Sequence, residues 1–233
     1  MADPTGQPFD VVKKAASSAT GAGEATRRAI ISAAEKMFAN HGIAAVSLRS
    51  ILAAAGANTA AAHYHFGSKE NLIAQVFAHR ANRVADERLR RLESVLADPD
   101  DENRLERILE SFIEPGFFGG ADTAKAGEQF AKLRARLTTD KSDLARSLLA
   151  ECFDDSSRQY LKALSDVLPH LSERDVQWRF HAMMGITVYT IADPGRIQSI
   201  TDNACNPSDL REALKHLVPT LAGMFRAPPS GIE

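Results

Sequence analysis

The residues best equipped for chemistry in this chain gather between Ser47 and Lys69. That stretch offers hydroxyls at Ser47, Thr59 and Tyr64, imidazoles at His63 and His65, an amide at Asn58, and cations at Arg49 and Lys69. Its later part, Thr59-Ala60-Ala61-Ala62-His63-Tyr64-His65-Phe66, has no acidic residue. A solvated surface helix ordinarily carries Glu and Lys, so an acid-free one suits a surface that must approach phosphates. Thr and Ala can touch a thymine methyl, Thr and His can hydrogen-bond base edges, and a Tyr hydroxyl can reach a phosphate oxygen. Arg49 and Lys69 fall near helix starts, where the positive end of the helix helps to hold an anion. Arg27 and Arg28 fall near the start of an earlier helix, where cations oppose the macrodipole by roughly a few tenths of a kcal/mol. That cost makes sense at a phosphate contact.

Catalytic constellations are missing. The seven His show no metal-ligand spacing, and no H-E-x-x-H, G-x-S-x-G or P-loop pattern occurs. His63 and His65 are two apart and so point to different helix faces. Gly21-Ala22-Gly23 follows no strand. No enzyme activity, metal or cofactor is expected. Cys152 and Cys205 form no C-x-x-C pair and read as small, half-buried side chains in a reducing compartment.

The elements that position these residues read as helices. From Thr26, Ala29, Ile30, Ala33, Ala34, Met37 and Phe38 form one apolar stripe, stopped by Gly42. Ser47 caps a short helix whose buried face is Leu48, Ile51, Leu52 and Ala55. Gly56 interrupts, and Asn58 caps a second short helix reaching about His65. In it Ala62 and Phe66 face inward. The run Ala53-Ala54-Ala55 before Gly56 suggests two helices crossing with close backbones, the geometry of a helix-turn-helix. In that motif the second helix enters a major groove about 12 Å wide.

Gly67 and Ser68 lead into a long helix at 68–97, bounded by Pro99. Its apolar face runs through Leu72, Ile73, Val76, Phe77, Val84, Leu92 and Leu96. Further helices are expected at about 102–114, 124–138, 142–168, 172–192 and 207–226. Breaks fall at Pro115–Gly120, Thr138–Asp140, Leu168-Pro169 and Asp193–Pro207. The chain is therefore expected to be all-α, with about nine helices and no internal repeat. Residues 1–23, rich in Ala, Ser, Thr, Gly and Pro, read as a mobile arm.

Composition sets the outer bounds. At 233 residues and 44% hydrophobic, the chain can bury a sizeable core, and wholesale disorder is excluded. No apolar run reaches the ~20 residues of a membrane span, so a soluble, cytoplasmic protein is expected. The net charge of −2 argues against wholesale coating of nucleic acid. It hides an asymmetry: 10 Lys+Arg face 6 Asp+Glu from Glu24 to Ala97, against 16 and 22 from Asp98 onward. A basic N-terminal third fits a localised polyanion footprint.

Residues 26–72 resemble the DNA-binding domain of the TetR/AcrR family of transcriptional regulators. The resemblance rests on Thr26–Ala34, Phe38-Ala39-Asn40-His41-Gly42, Val46-Ser47-Leu48-Arg49, Ala54–Asn58 and, most specifically, Tyr64-His65-Phe66-Gly67-Ser68-Lys69-Glu70-Asn71-Leu72. It implies that Ser47, Arg49, Tyr64 and Lys69 touch the DNA backbone, while Thr59, Ala60, Ala61 and His63 face bases. The reading surface is small beside that of many members, so methyl contacts and DNA shape should matter more. His63 replaces an aromatic, leaving base and phosphate contact both open to it.

The resemblance also implies an N-terminal helix-turn-helix domain at 24–72 and a helical effector-binding and dimerisation domain at 73–228. Helices 172–192 and 207–226 carry apolar residues on more than one face, which points to a homodimer through a four-helix interface. Two reading helices about one DNA turn apart would match a palindromic operator in double-stranded DNA. Candidates for an effector pocket are Phe112, Phe117, Phe118, Phe130, Leu133, Leu137 and Phe153, with Arg134, Arg179 and His181 as orienting polar groups. The Phe117-Phe118 pair reads either as a lid or as a loop tucked inward. The stretch Trp178-Arg179-Phe180-His181, with Tyr189–Asp193, is similar to a branch that includes fatty-acid-responsive repressors, which favours a small apolar effector. The expected function is a ligand-responsive repressor. The alternative is a DNA-binding architectural or protein-interaction module without an effector.

Overall fold

The computed structural model describes residues 21–42, 45–98, 101–118, 124–192 and 195–229. Every described element is a helix, ten in all: α1 (Gly21–His41), α2 (Leu48–Ala55), α3 (Thr59–Phe66), α4 (Lys69–Leu96), α5 (Arg104–Phe118), α6 (Ala124–Thr139), α7 (Asp143–Val167), α8 (Glu173–Ala192), α9 (Arg196–Ile200) and α10 (Leu210–Arg226). The all-α expectation holds. Residues 1–20 of the expected arm lie outside the described residues. The chain divides into two compact units after Phe77, within α4.

The first unit is built on the α1 stripe. Ile30, Ala34 and Phe38 are buried completely, and Ile51, Leu52, Ala62, Phe66 and Leu72 close the same core. Polar caps fix the helix starts. Ser47 Oγ accepts from Ser50 N at 3.1 Å, Asn58 Oδ1 from Ala61 N at 2.8 Å, and Ser68 Oγ from Asn71 N at 3.1 Å. These satisfy donors that a first helical turn otherwise leaves open. Gly56 ends α2 at φ 63°, the left-handed region that L side chains rarely adopt. Its value is conformational. A Cβ there would meet nothing within 4 Å, and Ala53 and Ala54 are exposed. The expected tight backbone crossing at the three alanines is therefore not what makes this corner.

In the second unit Phe112, Tyr160 and Phe180 form an edge-to-face trio at 4.9 and 5.2 Å, surrounded by Leu109, Ile113 and Leu164. Tyr160 Oη donates to the Arg88 carbonyl at 2.8 Å and lies 2.9 Å from Ser111 Oγ, so this buried hydroxyl is satisfied. Burial pushes its pKa up to about 12. Burial likewise pushes Cys152 up to about 12, which keeps that thiol unreactive, while Cys205 is exposed.

Several boundaries depart from the sequence reading. α1 begins at Gly21, ahead of the Thr26 expected from periodicity, with Glu24 in its first turn complementing the helix dipole. α5 does not break at Pro115 but runs through it to Phe118. Proline removes one N–H and crowds the preceding turn. Here that penalty is offset because Ile113, Pro115, Gly116 and Phe117 are all buried and two arginines hydrogen-bond carbonyls of this turn. α9 occupies part of the expected 193–207 break. α10 starts at Leu210, not 207, because Asp209 Oδ1 caps it by accepting from Arg211 N and Glu212 N, each at 3.1 Å.

The end of α5 packs closely on α6. A Cβ added to Gly127 would overlap the Phe118 carbonyl oxygen and come within 2.9 Å of its carbon. Backbone cannot yield as a flexible side chain can. Gly127→Ala is therefore expected to destabilise the second unit by about 1–3 kcal/mol, the usual range for overpacking, read as a lower midpoint in urea unfolding.

Candidate nucleic-acid interface

The reading surface is α3. Its inward residues, Ala62 and Phe66, are buried as expected. Arg49, Asn58, Thr59, Ala60, His63 and Tyr64 are exposed, and Ala61, His65 and Lys69 are half-buried. Tyr64 is 76% exposed, the highest value among the large apolar side chains of the described residues. An aromatic ring left this bare gains nothing from the unit's own core. From Lys36 to Lys69 the chain holds no Asp or Glu, so the acid-free zone extends beyond α3 to the whole corner.

Hydrogen bonds divide these side chains into two groups. Ser47 and Asn58 spend their side-chain oxygens on caps; Asn58 keeps its NH₂ as a donor, and Ser47 Oγ also lies 3.0 Å from Ser50 Oγ. His63 Nδ1 lies 3.2 Å from the Gly67 carbonyl. A carbonyl can only accept, so this contact is a bond when Nδ1 carries the proton, leaving Nε2 as an acceptor. His65 is held between Tyr64 and Phe66, with ring centroids 5.0 and 6.0 Å away. That contact pulls it back from the display that the sequence suggested. Arg27 is half-buried and donates from Nη2 to Gln75 Oε1 at 3.0 Å, while Arg28 is exposed. Gln75 escaped the sequence reading, because a polar residue inside the buried run 72–77 gives no clue to its partner.

The structure sorts the pocket candidates differently. Phe112, Phe117, Phe130, Leu133, Leu137, Phe153 and Arg134 are all buried in the second unit. The Phe117-Phe118 lid is not found: Phe117 is completely buried and Phe118 half-buried at the end of a helix. His181 stands apart, exposed beside the Trp178 ring at 5.8 Å. Arg179 clamps the end of α10. Its Nη1 donates to the carbonyls of Met224, Phe225 and Ala227 at 2.8–3.0 Å, and Nη2 to Pro228 at 2.8 Å, which accounts for it as a helix-end cap. Arg88, which sequence reasoning passed over, lies against Phe112 and Phe153.

α8 presents two faces. Val176, Phe180, Met183, Thr187 and Ile191 form its buried stripe, while Trp178, Met184 and Tyr189 are exposed.

Comparison with known proteins agrees with this geometry. Residues 30–76 match the model of the bacterial regulatory proteins of the tetR family, and residues 110–224 match the tetracyclin repressor-like C-terminal domain. The chain belongs to the TetR family. As a TetR-family transcription regulator it carries a DNA-binding helix-turn-helix domain, of which α2 and α3 are the two helices.

Among solved structures it resembles HlyIIR, a hemolysin II transcriptional regulator, with a TM-score of 0.60 and 19% identity over 85% of this chain and 97% of that one. The fatty acid degradation regulator FadR from Bacillus halodurans is similar at a TM-score of 0.59 and 17% identity, over 90% of this chain and 99% of that one. A TetR-family regulator from Shewanella sp. PV-4 follows at 0.57 and 18%, over 86% and 95%. These likenesses concern the fold. No curated protein matches the chain. No helix among the described residues is long and apolar enough to cross a membrane.

Proposed function

We propose that this TetR-family regulator is a ligand-responsive repressor that binds a palindromic operator as a homodimer and releases it when a small apolar molecule occupies the C-terminal unit. The observation carrying the DNA contact is the bare Tyr64 on an acid-free helix. Thr59, Ala60, Ala61 and His63 read base edges from this helix, and Tyr64, Arg28, Arg49 and Lys69 take phosphates. Asn58 contributes its amide donor from the cap. Ser47, Arg27 and His65, already engaged within the unit, position their neighbours more than they contact DNA.

The homodimer is supported by the exposed Trp178, Met184 and Tyr189 on α8, an apolar face that a second copy would cover. Leu214, Leu217 and Val218 on α10 are only half-buried in one chain and extend the same argument. The similar FadR structure, named for fatty acid degradation, favours an apolar effector.

Footprinting the DNA around the protein's own gene, followed by titration of the protected fragment, tests the reading. Thr59→Val and Tyr64→Phe each remove one hydroxyl and are expected to weaken binding by about 5- to 100-fold, the cost of a lost polar contact. Lys69→Ala should weaken all sequences alike and flatten the salt dependence by about one phosphate contact. Unchanged affinity in all three variants would remove α3 from the interface.

A further inference from the structure

Among the described residues the C-terminal unit buries two arginines and no acid beside them. Arg88 is 3% exposed and Arg134 is 6% exposed. Among the described residues no Asp or Glu of this unit is buried; its other buried side chains with polar atoms are Ser111, Ser156, Thr187 and Tyr160. The two guanidinium groups converge. A Cβ placed on Gly116 would lie 2.8 Å from both terminal nitrogens of Arg134 and 3.1 Å from Nη2 of Arg88.

Their surroundings treat them as flat cations. The Arg88 guanidinium carbon stands 3.7 Å from the Phe112 ring centroid and 5.5 Å from that of Phe153, and Arg134 lies 6.0 Å from the same Phe153 ring. Aromatic faces stabilise the charge from above the plane and leave the N–H edges unused. Among the described residues Arg88 makes one hydrogen bond, from Nε to the Phe112 carbonyl at 2.8 Å, and Arg134 makes one, from Nη2 to the Gly116 carbonyl at 3.1 Å. An arginine offers a whole fork of N–H donors. Most of both forks therefore has no protein acceptor among the described residues.

Burial disfavours both charges, and each cation repels the other. Arg88 is held well below the usual arginine range by burial first and by Arg134 second, and burial lowers Arg134 to about 10. Arg134, at about 10, keeps its proton at neutral pH, and a guanidinium is in general very hard to deprotonate inside a protein. Two like charges withdrawn from water are costly unless a counter-charge joins them. Guanidinium forks match the two oxygens of a carboxylate, and weak hydration makes Arg suited to such a buried pairing.

We infer that Arg88 and Arg134 bind the carboxylate of an otherwise apolar effector, with Phe112 and Phe153 beside its head. This rests on the effector reading above and narrows it: the ligand is an amphiphilic acid and not a neutral hydrocarbon-like molecule. Phe112, Phe153 and Arg134 keep the pocket role read from the sequence. Arg88 joins them, and exposed His181 leaves the set.

The test compares acids with their primary amides of equal shape, on the full-length protein. Octanoate and 3-phenylpropanoate are titrated beside octanamide and 3-phenylpropanamide, by calorimetry and by release of the footprinted DNA. The expected result is at least tenfold tighter binding of each acid than of its amide. Arg88→Met and Arg134→Met remove charge but keep length, and each is expected to lose that tenfold preference. The acid–amide comparison on the unaltered protein stands even if a variant folds poorly.

Equal binding of acids and amides would overturn the inference while leaving an apolar effector in place. Acid preference that survives in both well-folded arginine variants would overturn the assignment to this pair. Failure of every acid and amide to bind would also overturn it. In that case release of DNA by a neutral compound such as naphthalene would keep the broader effector reading, and no release by any compound would end that reading too.

Discussion

Ala60→Glu is expected to abolish DNA binding while leaving the protein at least as stable as before. Ala60 is exposed in the first turn of α3, a helix whose first turn has no acid. A carboxylate there faces the positive end of the helix, which favours folding by about 0.3–1 kcal/mol. The same carboxylate would face the phosphates of an operator, where like charges cost several kcal/mol. The expected loss of affinity is about 100-fold or more. Gel-shift titration beside a thermal melt separates the two effects, because an unfolded variant would lose both. Retained affinity would mean that α3 does not approach DNA.

Phe117→Ala is expected to destabilise the second unit by about 3–5 kcal/mol, the range for emptying a fully buried aromatic site. A phenylalanine on a lid would cost little, within about half a kcal/mol for a surface change. The structure buries Phe117 completely near the end of α5, so the larger figure applies. Urea unfolding followed by far-UV circular dichroism reads the difference. A midpoint shift too small to detect would return Phe117 to a solvent-facing loop.

Much of the first unit was legible because its signals are local. Ser47 and Asn58 cap the helices that follow them, Gly56 takes a positive φ, and Ala62 and Phe66 fall on the inward side by their four-residue spacing. Each depends only on neighbours within one or two turns. The alanine run misled for the same reason. Small residues permit a close crossing without requiring one, and Ala53 and Ala54 turned out exposed.

The second unit was harder to read because its decisive contacts join distant segments. Pro115 and the Gly119-Gly120 pair pointed to a loop, yet burial of Ile113 and Phe117 and hydrogen bonds from Arg88 and Arg134 kept α5 helical to Phe118. Arg179 looked like a ligand-orienting cation until it met four carbonyls about 45–49 positions away. Arg88 did leave a trace: it stands four residues after Val84 and four before Leu92, in the apolar stripe of α4. A charge in such a position marks a buried cation without showing what surrounds it.

The sequence by itself determined the helical class, the caps and stops around α2 and α3, and the acid-free helix that the family match then explained. Those features follow from backbone preference and from side-chain periodicity, which act over a few residues. Only the tertiary structure decided which arginine caps a helix, which stand without acids in the interior, and which phenylalanines are core. Such choices depend on what is nearby in space after folding, and a linear spacing of residues does not contain that distance.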